Sequence, residues 1–421
     1  MSIIDLRNPY TGAAGANGVY GNPTGTDGSA GGAAYTGTTG NYVFNYTLIT
    51  GGSGGYGGHG GHGGSGGAGV SLSGGTLTNE GTITGGNGPS GGVGGEGGTG
   101  VKFNSTGTLA NTGSITGGAG GTGSAGAGGE GGRGVSLAGG PFMFNTGTII
   151  GGAGGSGTTS GGAGGAGVFL NGGTLSTSGT ISGGTGGSGS TPGNTGAAVQ
   201  FGANASTLVV DPGAVFIGQV AAHASAGDVL VLLGTQAGGT AVTLGTQFTN
   251  FSTLEFASGA ACTADATKAD LIAHPLTIES FAVGDTLDIT NLPTTGTTLS
   301  FNSTNDVLTL VHGKPTVIDL QFDSSVSGDH FVLTANGSGT DVTLASGPGA
   351  IFAGLAHDVT SFVSDDHRAL MDDRSMPVHG LGSSLLSTGS AAASDHTSYG
   401  FASHAFIDHG LAHDAMALCK A

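Results

Sequence analysis

Five stretches of this chain stay in register when aligned on a single isoleucine. They read VFNYTLITG (43–51), LTNEGTITG (77–85), LANTGSITG (109–117), MFNTGTIIG (143–151) and LSTSGTISG (175–183). The anchors Ile49, Ile83, Ile115, Ile149 and Ile181 lie 34, 32, 34 and 32 residues apart. Six residues before each stands an apolar residue: Val43, Leu77, Leu109, Met143 or Leu175. Four before it stand Asn45, Asn79, Asn111, Asn145 and then Thr177. A second column, Val70, Val101, Val135, Val168 and Val199, has an apolar partner two residues on. Even offsets place residues on one face of a strand. A lone unit has too little apolar surface to fold, whereas stacked units bury their columns together. The pattern predicts an all-β chain, a parallel β-solenoid with coils about 4.8 Å apart. The asparagines then form a ladder from coil to coil, or else mark polar corners.

Glycine-rich tracts connect each isoleucine to the next valine. The first reads GGSGGYGGHGGHGGSGGAG (51–69), and the five spans are 21, 18, 20, 19 and 18 residues. Near-constant length argues for arcs of the coil. The period of three suggests an extended three-fold helix rising about 3.1 Å per residue. Glycine permits close backbone approach, at a high ordering entropy. The alternative is a set of mobile surface loops.

The same glycine dominates the composition, at 95 of 421 residues, and charged residues are only 8%. Eight Lys and Arg face 26 Asp and Glu, a net charge of −18. That excludes a phosphate-binding surface of clustered cations, so no nucleic-acid partner is expected. The N-terminus MSIIDLRNPYTG lacks the pattern of a Sec signal peptide. No apolar run reaches the length of a transmembrane helix.

Four regions are expected. Residues 1–40 form an N-terminal segment that caps the solenoid or serves as an assembly strand. Residues 41–203 hold the glycine-rich repeats. Residues 204–348 carry strand-like runs about every ten residues, a continued solenoid or a β-sandwich. A short, partly helical tail, 349–421, is rich in His and Asp.

GVSLSGGTLTNEGTITGG (69–86) and GVKFNSTGTLANTGSITGG (100–118) resemble repeats in the passenger regions of bacterial autotransporter-like surface proteins. LVVDPGAVFIGQV (208–220), GTQFTNFSTLEFASGA (245–260) and IESFAVGDTLDIT (278–290) extend the likeness. It is nearest to secreted β-strand-repeat proteins of alphaproteobacteria that often precede a Hint domain. The resemblance implies a secreted or surface-attached β-solenoid. Neither a membrane barrel pattern nor a Hint domain follows in this sequence.

Candidate chemistry is sparse. No Asp occurs from residue 28 to 210. Glu96 and Glu130 both lie five residues before their valine, so they stack one coil apart, with Arg133 near Glu96. Paired carboxylates suit acid–base work, but exposed slots explain them as well. His59 and His62 are two ligands where zinc needs about four. No cofactor is expected other than calcium, for which loop oxygens at Asp285 and Asp288 in GDTLDIT, or Asp329 in SGDHF, are candidates; Asp is equally a common turn residue. In the tail, His409 and His413 have the i,i+4 spacing of metal ligands on a helix. Cys262 and His274 do not by themselves make a catalytic pair.

The expectation is a non-enzymatic protein of the cell surface or extracellular space, exported without a Sec signal. Its leading function is a self-assembling filament or biofilm-matrix subunit, with itself as partner. The alternative is an adhesin binding cell-surface polysaccharide, and a carbohydrate-active enzyme comes last.

Overall fold

Three short strands and a glycine tract make each coil of the first half. In the computed structural model, residues 2–347 are described apart from 22–24, 235–238, 240, 260, 314–315, 324–325 and 327. The tail, with His409, His413 and Cys419, lies outside the described residues.

The strands stack in parallel into three sheets. Ile49 pairs with Ile83, and the column continues through Ile115, Ile149 and Ile181 to Phe216. Val70, Val101, Val135, Val168, Val199 and Val220 form a second column. Leu77, Leu109, Met143, Leu175 and Leu208 form a third. The five isoleucines and all six valines are fully buried. Each such side chain contributes about 1.5–3 kcal/mol on burial. The solenoid class read from the repeat is the fold observed.

Residues 2–37 make a coil of their own. Ser2–Leu6 pairs in parallel with Asn41–Asn45, Tyr10–Thr11 with the strand Leu48–Thr50, and Tyr35–Gly37 with Val70–Leu72. These three strands end their sheets.

The glycine tracts are not single arcs. Each runs outward, turns and comes back, so the stacked tracts form a two-layer block. In the second coil the turn falls at His59–Gly60, where Gly60 has φ +75°. On the outgoing arm, the amides of Gly51, Gly54 and Gly57 donate to Thr84, Asn87 and Ser90 of the next coil. Those of Gly52, Gly55 and Gly58 donate to Gly32, Ser29 and Thr26 on the preceding coil's return arm. On the return arm, Gly64 and Gly67 donate to Gly55 and Gly52 of their own coil. Two glycines of each triplet therefore face other backbone and the third residue faces outward. A Cβ at Gly55 would lie 1.9 Å from the Ala16 carbonyl oxygen, and one at Gly121 would lie 1.9 Å from that of Pro89. A comfortable contact needs about 3.5 Å. Nearly continuous amide pairing offsets the entropy of ordering glycine.

Beyond Phe201 the parallel stack continues without glycine arms. From Leu175, the step to Leu208, Leu230, Leu254 and Ile278 is 33, 22, 24 and 24 residues. Phenylalanines supply much of the core here. Phe256, Phe281, Phe322 and Phe331 contact one another in sequence with ring centroids 5.0, 5.5 and 4.8 Å apart. The parallel stack ends on antiparallel strands. Thr297–Asn302, Val307–His312 and Thr316–Phe322 form a meander, and His330–Asn336 with Gly339–Ala345 forms a hairpin. Among the described residues a single short helix, Lys268–Ala273, is capped by the Thr267 side chain. No helix among the described residues is long and apolar enough to cross a membrane.

Candidate functional site

The asparagine column lies inside the first sheet and is buried throughout. Asn45 Nδ2 donates to Asn79 Oδ1 at 2.7 Å, Asn79 to Asn111 at 2.7 Å, and Asn111 to Asn145 at 2.8 Å. Asn145 ends the run on Thr177 Oγ1 at 3.1 Å. The repeat brings these residues together because each is the same even offset from its isoleucine. Buried amides must be paired, and here each finds its partner in the adjoining coil.

Asp285 is a staple between coils. It is buried, and its carboxylate accepts from the backbone amides of Cys262 and Ala282, each at 2.9 Å. Asp228 repeats the arrangement, accepting from Ser206 at 2.9 Å and His223 at 2.8 Å. Burial pushes both carboxyls above the ordinary value while the amide bonds oppose it. A glycine with positive φ, Gly227 or Gly284, precedes each aspartate. That Gly-Asp step is the sequence signal for the staple. Gly-Asp is also common turn chemistry, so the two letters by themselves do not distinguish a staple from a turn.

Asp288 stands in a row of three carboxylates. In the third sheet it pairs laterally with Asp265 on one side and Asp341 on the other. Its Oδ2 accepts from Asn336 Nδ2 at 2.9 Å, and its Oδ1 is buried without a hydrogen-bond partner. Burial, then the charges of Asp341 and Asp265, raise its pKa. Asp265 is raised likewise, by burial first. Among the described residues no three His, Cys, Asp or Glu side chains group closely enough to hold a metal ion.

The remaining candidates are scattered. Glu96 and Glu130 occupy adjacent rungs, since the Gly97 amide donates to the Glu130 carbonyl, and both face solvent. Arg133 stacks over the Phe169 ring at 3.8 Å. His59 sits against Tyr20 with centroids 5.3 Å apart, and the His62 amide donates to Asp27 Oδ1. Cys262 is buried with its thiol directed at the Leu232 carbonyl, and burial pushes its pKa up to about 11. His274 instead bonds Asp270 at 2.9 Å. These positions share neither a cleft nor a geometry for proton or acyl transfer.

No protein-family model matches this chain, and no curated protein matches it. Geometry alone marks the candidate site. It is the outward face of the first coil, where Ser2–Leu6, Tyr10–Thr11 and Tyr35–Gly37 are the last strands of three sheets. Such strands carry backbone donors and acceptors on their outer side, a template for pairing with another chain. Ile3 stands 76% exposed on this coil.

Proposed function

We propose that the chain is an extracellular structural protein, a self-assembling subunit of a filament or biofilm matrix. The carrying observation is the first coil, whose three sheet edges end the stack without a covering strand among the described residues. A contact between unlike ends that does not close on itself propagates as a filament. Two further observations support a structural role. The interior is filled by in-register columns, and the buried polar groups lie in ladders and staples that bind coil to coil. Electron microscopy of the purified protein, with light scattering in parallel, tests the reading. Ordered polymers are expected. Monomers alone, at acid and neutral pH and with or without calcium, would overturn it.

A second reading, an adhesin for surface polysaccharide, is favoured by one feature. Phe142 and Phe144 are exposed, and Phe44 half-buried, on the outer face of the first sheet. Phe44 stacks with Tyr46 at an interplanar angle of 7°. Flat exposed rings can stack on sugars. Binding to immobilised polysaccharide that is lost in Phe142→Ala/Phe144→Ala would select this reading.

A further inference from the structure

The glycine block has two ends, and both depart from the rule that governs its interior. In interior coils, two positions of most triplets are glycine because a Cβ there would enter a neighbouring backbone; Pro89, which stands where the adjoining coils have Gly55 and Gly121, is an exception. The second glycine of each outgoing triplet points toward the preceding coil. A Cβ at Gly52, Gly86 or Gly118 would lie 1.9–2.0 Å from the carbonyl oxygen of Ala13, Gly52 or Gly86. On the return arm, Gly61, Gly64 and Gly67 face the preceding coil's Thr26, Ser29 and Gly32 carbonyls at 2.0–2.3 Å.

The first coil has no preceding coil among the described residues, and these same positions change. Where the second coil has Gly52, Gly55 and Gly58, the first has Ala13, Ala16 and Val19. Where the second has Gly61 and Gly64, the first has Thr26 and Ser29. The remaining position, Gly32, has room: a Cβ there would meet nothing nearer than 3.5 Å. The glycines that do face neighbours are kept. Gly15 and Gly18 face their own return arm, and Gly28 and Gly31 face the second coil.

The amides change with the side chains. In the second coil Gly55 and Gly58 donate to a preceding return arm. Their counterparts Ala16 and Val19 donate instead to Ser29 Oγ at 2.7 Å and Thr26 Oγ1 at 2.8 Å, within the same coil. Side-chain oxygens thus supply the acceptors that a further coil would have offered.

The far end is treated in the same way. In the tract before the last, Gly161 and Gly164 face forward, each 1.9 Å by Cβ from the carbonyl oxygen of Gly187 or Gly184. Their amides donate to Thr191 and Asn194. In the last tract the corresponding residues are Pro192 and Thr195, both exposed. Proline has no amide to leave unpaired, and neither side chain could enter a glycine contact.

We infer that the glycine block is closed at both ends by side chains set where the interior requires glycine. A second copy of this chain therefore cannot join by laying glycine coil on glycine coil. Among the described residues, only the sheet half of the first coil, Ser2–Leu6, Tyr10–Thr11 and Tyr35–Gly37, is left as a pairing edge on that face. The closure holds whether or not copies assemble through those edges.

The test opens the first coil with Ala13→Gly, Ala16→Gly, Val19→Gly, Thr26→Gly and Ser29→Gly together in the full chain. Light scattering and hydrogen–deuterium exchange are read against concentration. The opened protein is expected to gain an association absent from the parent, seen as a doubling of mass. Amides in 12–33 should become protected as concentration rises, while in the parent they do not. Parent association confined to residues 2–6 and 35–37 would leave the closure standing. Concentration-dependent protection of 12–33 in the parent would overturn it. So would an opened protein of unchanged circular dichroism that gains no contact. Should the fivefold variant fail to fold, exchange of the parent decides alone: no protection of 12–33 with rising concentration upholds the closure, and protection that rises overturns it.

Discussion

Asn79 and Asn111 lie 32 residues apart, and the side-chain amide of one donates to the side-chain carbonyl of the other at 2.7 Å. Both are buried. Replacing Asn111 by alanine would leave the carbonyl of Asn145 without its ladder partner and the amide of Asn79 with only its longer bonds to the Gly81 and Ser114 carbonyls, 3.3 and 3.4 Å. A buried polar group without a partner costs about 1–3 kcal/mol. Asn111→Ala is expected to destabilise the folded chain by roughly 2–3 kcal/mol, measured by urea unfolding. A change below half of that would contradict a ladder that supports stability.

The glycine block gives a sharper contrast between neighbours. Gly121 has no room for a Cβ, whereas Thr122 is exposed. Gly121→Ala is expected to cost about 3 kcal/mol, the upper range for overpacking. Thr122→Ala should stay within about 0.5 kcal/mol, as surface changes do. Equal effects at the two positions would show that the arms are not packed as described.

Asp288 predicts a pH dependence. Its folded pKa is raised by burial and by Asp341 and Asp265 in the adjoining strands. The native state therefore holds its proton more tightly than the unfolded chain does. Stability from this group is fully present below the ordinary carboxylate pKa and is lost as pH rises through the elevated value. At pH near 7 the ionised group is a liability. Asp288→Asn is expected to raise Tm there by about 2–4 °C. The gain should vanish on acidification below the ordinary carboxylate range. A gain independent of pH would point to hydrogen bonding rather than charge.

Cys262 predicts a slow thiol. Its side chain is buried and its pKa is pushed up to about 11. The thiolate is the reacting species. At mildly alkaline pH a thiol reagent should modify Cys262 at least tenfold more slowly in the folded chain than in denaturant. Cys419→Ser gives a single-thiol chain for the measurement. Equal rates would place Cys262 at the surface.

Much of the first half is legible in the sequence. Isoleucine, valine and asparagine at fixed even offsets specify faces, register and stacking, because only in-register coils bury all three columns at once. The glycine tracts reveal their period of three, since that period is a property of the chain itself. Whether a tract makes one arc or a hairpin depends on which amides find acceptors, and those acceptors lie in other coils. The first coil was hidden for the same reason. Gly12, Gly15, Gly18, Gly25, Gly28 and Gly31 keep the spacing, but Ala13, Ala16, Val19, Thr26 and Ser29 break the paired-glycine pattern. They break it because that side of the coil faces no backbone among the described residues, which is knowable only once the stack exists. Asp285 is similar. The letters Gly-Asp are the same for a loop ligand and for a staple. The choice fell to the tertiary structure, which set the amides of Cys262 and Ala282 within reach of one buried carboxylate.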